Sequence, residues 1–225
     1  MKIGIIGSGH IGGTLTRRLT ELGHDVSVAN SRGPETLRDL AQETGAHATT
    51  VNEAVRGKDL VIVAIPEKAV RDLPKDLFAD VPRDTIVVET GNYYPERDGR
   101  ITDIEEGTPE SVWVQNHFKH PVIKAFNNIR WDHLLKRGKP PGTPGRIALP
   151  VSGDDSRQKQ VVMRLMDDLG FDAVDAGPLS ESWRQQPGSP VYIADRDRTG
   201  VERGLSEASP DRPPQFRSRG RQAAD

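Results

Sequence analysis

The chain has 225 residues, enough for one substantial α/β domain with a modest extension. Its 31 Lys and Arg stand against 33 Asp and Glu, and the net charge of −2 gives no bulk attraction to nucleic acid or an anionic membrane. With no cysteine, disulfides, thiolate nucleophiles and cysteine-ligated metals are excluded, and no run of about 18 apolar residues occurs, so a cytoplasmic location is expected.

Residues 1–6 read as an apolar strand, Gly7-Ser8-Gly9-His10-Ile11-Gly12 fits G-x-G-x-x-G, and residues 14–22 follow a helical pattern. The four glycines by position 12 argue against a secretory signal. A strand, a glycine turn and a helix in that order are what a dinucleotide site needs. Gly7 permits the tight turn, Gly9 lets the backbone approach a pyrophosphate, Gly12 lets the helix pack on the strand, and the helix start offers unpaired N–H groups to the phosphates. The next strand, residues 25–29, ends at Asn30, 23 positions past the first glycine, close to where a ribose-binding acid is expected. The acid is absent. Asn30-Ser31-Arg32 stands there instead, and a hydroxyl with a guanidinium binds the 2′-phosphate that an acid would repel, so NADP(H) is favoured over NAD. The alternative for these residues is a polar turn before the Gly33-Pro34 helix start.

A helix over 34–43 follows, with Pro34 in its first turn, then a short strand at 47–50 and a short helix at 51–55. Residues 59–65 form a nearly continuous apolar run, as in a central strand buried on both faces, and Pro66 stops it. A fifth strand, 85–89, runs into Thr90-Gly91-Asn92-Tyr93-Tyr94-Pro95, and a sixth, 121–126, opens onto Asn127-Asn128. Two more strands, 146–152 and 171–174, flank an amphipathic helix over 155–169 that Gly170 ends. This alternation predicts an α/β fold, a doubly wound and mostly parallel sheet, as a single domain over residues 1–195. Residues 196–225 are charged and poor in large apolar groups. They are expected to be a short flexible C-terminal extension, its Arg212, Arg217, Arg219 and Arg221 solvated rather than forming a nucleic-acid patch.

Ligands of an open parallel sheet lie outside the carboxyl ends of the strands, which draws attention to residues 8–11, 30–32, 64–67, 90–94 and 126–128. Ala64, Ile65 and Pro66 suit an apolar wall beside a nicotinamide, although Ile65-Pro66 serves equally as a strand terminator. Asn92 and the two tyrosines after it belong at the rim of the same cleft, and a packing role fits one of the tyrosines as well. His10 is placed to line the nicotinamide or acceptor pocket without being a proton carrier. His117 and His120 lack a third ligand nearby, so no metal site is expected. Lys124 lies inside the sixth strand and either neutralises a carboxylate or reaches into the cleft. No nucleophile elbow, P-loop or zinc-spaced cluster occurs. No catalytic side chain is expected, because direct hydride transfer needs two rings held face to face more than it needs a nucleophile.

Five segments together resemble bacterial members of the coenzyme F-420 (F420)-dependent NADP oxidoreductase family, over roughly residues 1–195. They are the glycine turn with its strand, Ala29-Asn30-Ser31-Arg32-Gly33-Pro34-Glu35, Glu89-Thr90-Gly91-Asn92-Tyr93-Tyr94-Pro95, Lys124-Ala125-Phe126-Asn127-Asn128 and Ser182-Trp183-Arg184-Gln185-Gln186-Pro187-Gly188. The resemblance implies a compact NAD(P)-binding Rossmann-like domain without a large helical substrate domain, and hydride exchange between NADPH and a deazaflavin ring. It also implies that Ser8, His10 and Ile11 contact the pyrophosphate and nicotinamide side, that Ser31 with Arg32 holds the 2′-phosphate, and that Ala64 and Pro66 flank the nicotinamide. Many bacteria are not expected to make the deazaflavin, so the acceptor is either coenzyme F-420 or another flavin-like ring. Two other functions stay open: a small ketone, imine or hydroxyacid reductase of the 6-phosphogluconate dehydrogenase type, with Lys124 as its one candidate acid, and a non-enzymatic NADPH-binding sensor domain. The expected partner is a small-molecule redox partner, with no nucleic acid and no membrane; a homodimer would supply the surface that the reductase reading lacks.

Overall fold

Apolar runs too uniform to leave one face wet require a sheet covered on both sides. The computed structural model, which describes residues 1–218, has that form. Its first half runs β1 (Lys2–Ile6), α1 (His10–Glu21), β2 (Asp25–Ala29), a 3₁₀ turn (Pro34–Leu37) leading into α2 (Arg38–Thr44), β3 (His47–Ala48), α3 (Val51–Val55), β4 (Leu60–Val63), α4 (Glu67–Val70) and β5 (Ile86–Glu89). The second half runs α5 (Pro95–Asp98), α6 (Thr102–Glu105), α7 (Glu110–Phe118), β6 (Ile123–Lys124), α8 (Trp131–Lys136), β7 (Ala148–Val151), α9 (Ser156–Asp168), β8 (Asp172–Asp175), a 3₁₀ stretch (Leu179–Gln185) and α10 (Arg198–Ser206).

Strands β1 to β6 form one parallel sheet in the order β3-β2-β1-β4-β5-β6. The parallel pair β7-β8 joins its edge through an antiparallel bridge between Lys124 and Ser152. The whole is the doubly wound, mostly parallel, Rossmann-like single domain expected. Strand order reverses between β1 and β4, which lie side by side with Ile6 against Val63, so the crevice beyond their carboxyl ends is where a ligand belongs.

Successive residues of β4 point to opposite faces. Leu60 and Ile62 join Ile3, Ile5, Leu15 and Leu165 beneath α1 and α9, while Val61 and Val63 join Ala54, Val70 and Val114 beneath α3, α4 and α7. Each such fully buried aliphatic side chain contributes about 1.5–3 kcal/mol.

Several elements differ from their predicted form. Helix α1 begins at His10 rather than near residue 14, its first turn concealed by Gly12 and Gly13, which are poor helix formers but are buried against neighbours. Strand β6 is two residues long because the chain leaves the sheet at Phe126, whose φ is 61°. Helix α7 has no predicted counterpart because it buries Glu110 and Ser111 along with Trp113 and Val114, leaving no apolar stripe to read. The expected flexible extension departs most. Residues 198–206 form α10, whose Val201 and Leu205, one turn apart, pack with Ala148, Val174 and Val191. Arg212 and Arg217 lie in a segment bonded to the rest of the fold, while Arg219 and Arg221 lie outside the described residues.

Candidate functional site

The glycine turn separates its three glycines by purpose. Gly7 has φ 106°, and a Cβ there would stand 2.2 Å from the Ala64 carbonyl oxygen; a Cβ on Gly12 would stand 1.8 Å from that of Gly7. Both are demanded by the packing of β1, α1 and β4. A Cβ on Gly9 would have nothing within 4 Å. The space over Gly9 is open, and the turn's backbone N–H groups at the start of the 12-residue α1, whose first turn carries no acid, are free to meet an anion there. An anion placed over Gly9 would meet these N–H groups without opposition from a neighbouring side chain.

At the tip of β2, Asn30 braces this turn rather than reaching outward. Its Nδ2 donates to Ser8 Oγ at 3.2 Å and to Thr36 Oγ1 at 2.9 Å, and its Oδ1 accepts the Arg32 N–H at 2.9 Å. Ser31 and Arg32 are left exposed on the loop so formed, and no ion pair engages the Arg32 guanidinium among the described residues.

A cleft of about 430 Å³ opens at the switch point. Gly9, His10, Ile11, Ala64, Ile65 and Pro66 line one wall, and Asn92, Tyr94, Arg97, Trp131, Tyr192 and Ile193 line much of the other. The predicted residues His10, Ile11, Ala64, Ile65, Pro66 and Asn92 are thus together, whereas Asn30, Ser31 and Arg32 stand outside the cleft on the β2 side of the turn. The His10 ring stacks on the exposed Trp131, centroids 5.0 Å apart and planes at 21°. Asn92 and Asn127 exchange two amide hydrogen bonds, at 3.0 and 2.9 Å, and the Gln185 carbonyl accepts from Asn127 at 2.7 Å and Asn128 at 3.0 Å. This ties three of the sequence blocks that carry the family resemblance to one another. The Arg97 guanidinium lies 4.8 Å above the Tyr94 ring and donates to the Asn92 carbonyl at 2.6 Å. The Tyr94 and Tyr192 hydroxyls hydrogen-bond to each other, and burial together with that bond pushes the Tyr192 phenol far up, so it is a poor acid near neutrality. Tyr93 turns inward instead, its hydroxyl bonded to the Gly99 carbonyl and Glu105, with burial pushing it up to about 12. Phe126 and Ile193, both facing the cleft, have φ of 61° and 52°, conformations that cost about 1–3 kcal/mol each and gather at functional sites. A larger recess, about 790 Å³ between residues such as Arg100, Trp183 and Arg217, shares no lining residue with the glycine turn.

Beneath the cleft floor lies a group of charges that the motifs did not reveal. Register sets Glu89 on β5 opposite Lys124 on β6. The Lys124 ammonium, wholly buried, donates to Glu89 Oε2 at 2.8 Å and to the Gly91 carbonyl at 2.5 Å, while Ser111 donates to the same carboxylate at 2.7 Å. Burial opposes its charge, but Glu89, Glu110 and Glu67 outweigh burial and hold it above the ordinary lysine value. Lys124 therefore neutralises a carboxylate and does not reach the cleft. Glu67, next to Pro66, is fully buried with neither oxygen hydrogen-bonded; burial first and the Glu89 charge second raise its carboxyl well above the usual range, which favours its protonated form. Glu110 is also raised by burial, against the pull of Arg212, which donates to it at 2.8 Å. A Cβ on Gly91 would stand 2.5 Å from a Glu67 oxygen and 2.6 Å from a Glu89 oxygen. That glycine of the Thr-Gly-Asn block is the room these two carboxyls occupy. His120 bonds the carbonyls of Pro82 and Pro121, and no group of three or more metal-type side chains is assembled among the described residues.

Residues 2–93 match the profile of a family described as NADP oxidoreductase, coenzyme F420-dependent. Protein YjhV of Escherichia coli strain K12 is 50% identical over 77 residues, which are 34% of this chain and 49% of that protein. The chain spans half or less of the length of such curated relatives. Among solved structures, the hypothetical protein SMa0349 from Sinorhizobium meliloti superposes with a TM-score of 0.72 at 29% identity, over 86% of this chain and 93% of that one. A candidate F420-dependent NADP-reductase from Arthrobacter sp. FB24 gives 0.66 at 22% identity, over 81% and 87%, a likeness of fold. No helix among the described residues is long and apolar enough to cross a membrane.

Proposed function

We propose that this chain, whose residues 2–93 match the model of the coenzyme F420-dependent NADP oxidoreductase family, is an NAD(P)-dependent oxidoreductase that passes a hydride between NADPH and a deazaflavin or flavin-type ring in the 430 Å³ cleft. The observation that carries this reading is the chemistry of the cleft walls. Beside the open glycine turn they offer aromatic, apolar and amide surfaces, while Lys124, the acid a ketone or imine reductase would draw on, is sealed against Glu89 and Gly91.

The backbone N–H groups of His10, Ile11 and Gly12, with the Ser8 hydroxyl, hold the pyrophosphate over Gly9. Ser31 and Arg32 take the 2′-phosphate from the loop that Asn30 fixes. Ala64, Ile65 and Pro66 exclude water from one side of the nicotinamide, and Asn92, held by Asn127, marks the boundary with the second ring. The reduced nicotinamide supplies the hydride. Both ends of that transfer are ring centres, so the walls need to orient and desolvate rather than carry a proton.

The test is NADPH consumption with F420, FMN, FAD and a panel of ketones and imines. Turnover with a flavin-type ring is expected. Turnover with ketones or imines alone would instead support a reductase of that type, and tight NADPH binding without turnover a sensor.

A further inference from the structure

We infer that residues 211–218 brace the acceptor side of the cleft from behind its lining, with Arg212 as the anchor and Phe216 as a positioning residue acting through Tyr94 and Tyr192. The inference rests on the reading of that side as the place of the hydride acceptor.

Tyr94 and Tyr192 are 98 residues apart in sequence and meet hydroxyl to hydroxyl. Tyr94 sits just ahead of the single-turn α5 and Tyr192 follows the second 3₁₀ stretch, so neither side chain is fixed by a long helix or a strand. Behind both lies Phe216. Its ring centroid is 6.3 Å from that of Tyr94, at 50°, and 6.4 Å from that of Tyr192, at 80°, within the range and the tilted or edge-on arrangements that aromatic pairs favour.

The segment that delivers Phe216 is fastened at several points. Arg212 donates to the wholly buried Glu110 at 2.8 Å and to Gln186 Oε1 at 3.1 Å, and its guanidinium lies 5.2 Å above the Tyr93 ring. Arg217 donates to the Arg212 carbonyl at 2.6 Å, and the Ser218 N–H to Glu105 at 2.8 Å. Gly188, in the Trp-Arg-Gln-Gln-Pro-Gly block, leaves room for it: a Cβ there would stand 2.6 Å from Pro213 and 3.0 Å from the Phe216 ring. The backbone next to Tyr192 is strained at Ile193, and a contact behind the tyrosine pair opposes relaxation of that loop. No residue of 211–218 lines the cleft itself, and the contacts of Phe216 are with Tyr94 and Tyr192 rather than with the glycine turn, so this brace acts on the acceptor side alone.

The experiment compares the wild-type chain with Phe216→Ala and Phe216→Tyr. It measures NADPH affinity by fluorescence, steady-state kinetics with F420 and FMN, and hydrogen–deuterium exchange of the free protein. Phe216→Ala should raise the acceptor KM about five- to tenfold, the size of a lost aromatic contact. NADPH affinity should stay within about twofold, and exchange should rise at residues 92–97 and 189–193 but not at 7–13. Phe216→Tyr, which keeps the ring, should restore both readouts. Unchanged exchange at the two tyrosine loops overturns the inference, as does an NADPH affinity that falls in step with the acceptor. Absence of turnover by the wild type would strike the proposed reaction instead, and the exchange readout then decides the inference alone.

Discussion

One wall of the cleft comes from the turn between β1 and α1 and from the residues that follow β4, and is shaped by backbone geometry: a positive φ at Gly7, a close approach at Gly12, and an amide brace from Asn30 behind the turn. The other wall is gathered from residues around 92, 127 and 192, with Phe216 behind it, and is supported by buried charges and aromatic contacts across long sequence separations. The difference teaches where each wall fails. Substitutions on the first act locally on ligand binding, while those on the second act first on stability and through it on the acceptor.

The largest expected effect is on the second wall. Lys124→Met leaves Glu89 buried without its partner, which costs about 3–5 kcal/mol and lowers the melting temperature by roughly 10 °C. Thermal denaturation checks this, and an unchanged melting temperature would remove the distinction between the walls. Beside the first wall, at the tip of β2, Arg32→Ala should weaken NADPH by about 1.5–3 kcal/mol, a charged hydrogen bond to phosphate, with NADH affinity and stability unmoved. Titration of both cofactors tests it, and equal losses would refute the 2′-phosphate assignment. Gly9→Ala places a methyl in open space, so stability without ligand should hold within about 0.5 kcal/mol while NADPH affinity falls about tenfold or more.

The smallest effect is a pH slope. The Glu67 carboxyl is raised in the folded chain well above the 4.5 near which it titrates when unfolded, so above that pH the folded state holds a proton that the unfolded state has released. Stability therefore falls as pH rises from there toward the raised folded value. Glu110 contributes in the same direction. Glu67→Gln keeps a neutral group in place, and its melting temperature should decline less than that of the wild type between about pH 5 and 8. Parallel curves would show that Glu67 does not hold that proton.

The same contrast explains what was legible in the sequence. A turn that must pass close to a phosphate restricts residue type at fixed spacing, so Gly7, Gly9, Gly12 and the Asn30-Ser31-Arg32 tip announce themselves. The sheet announces itself through apolar runs. Glu89 and Lys124 were half legible: a lone acid and a lone base inside adjacent apolar strands have to be paired, since buried charges seldom stand alone. Glu67, Glu110 and Arg212 were not. Glu110 and Arg212 lie 102 residues apart, and Arg212 sits among prolines and arginines that by composition suggest a solvated extension. Nothing local marks a residue whose partner is that distant, and Tyr192 was hidden for the same reason.

The central claim, that the cleft passes a hydride from ring to ring, is tested most directly by isotope transfer. The reaction would be run in ordinary water with F420 and NADPH deuterated at C4 of the nicotinamide, each of the two C4 epimers in turn. One epimer should deliver its deuterium to the reduced deazaflavin ring carbon with none released to water. A reduced ring that carries only solvent hydrogen at that carbon, with either epimer, would contradict the account.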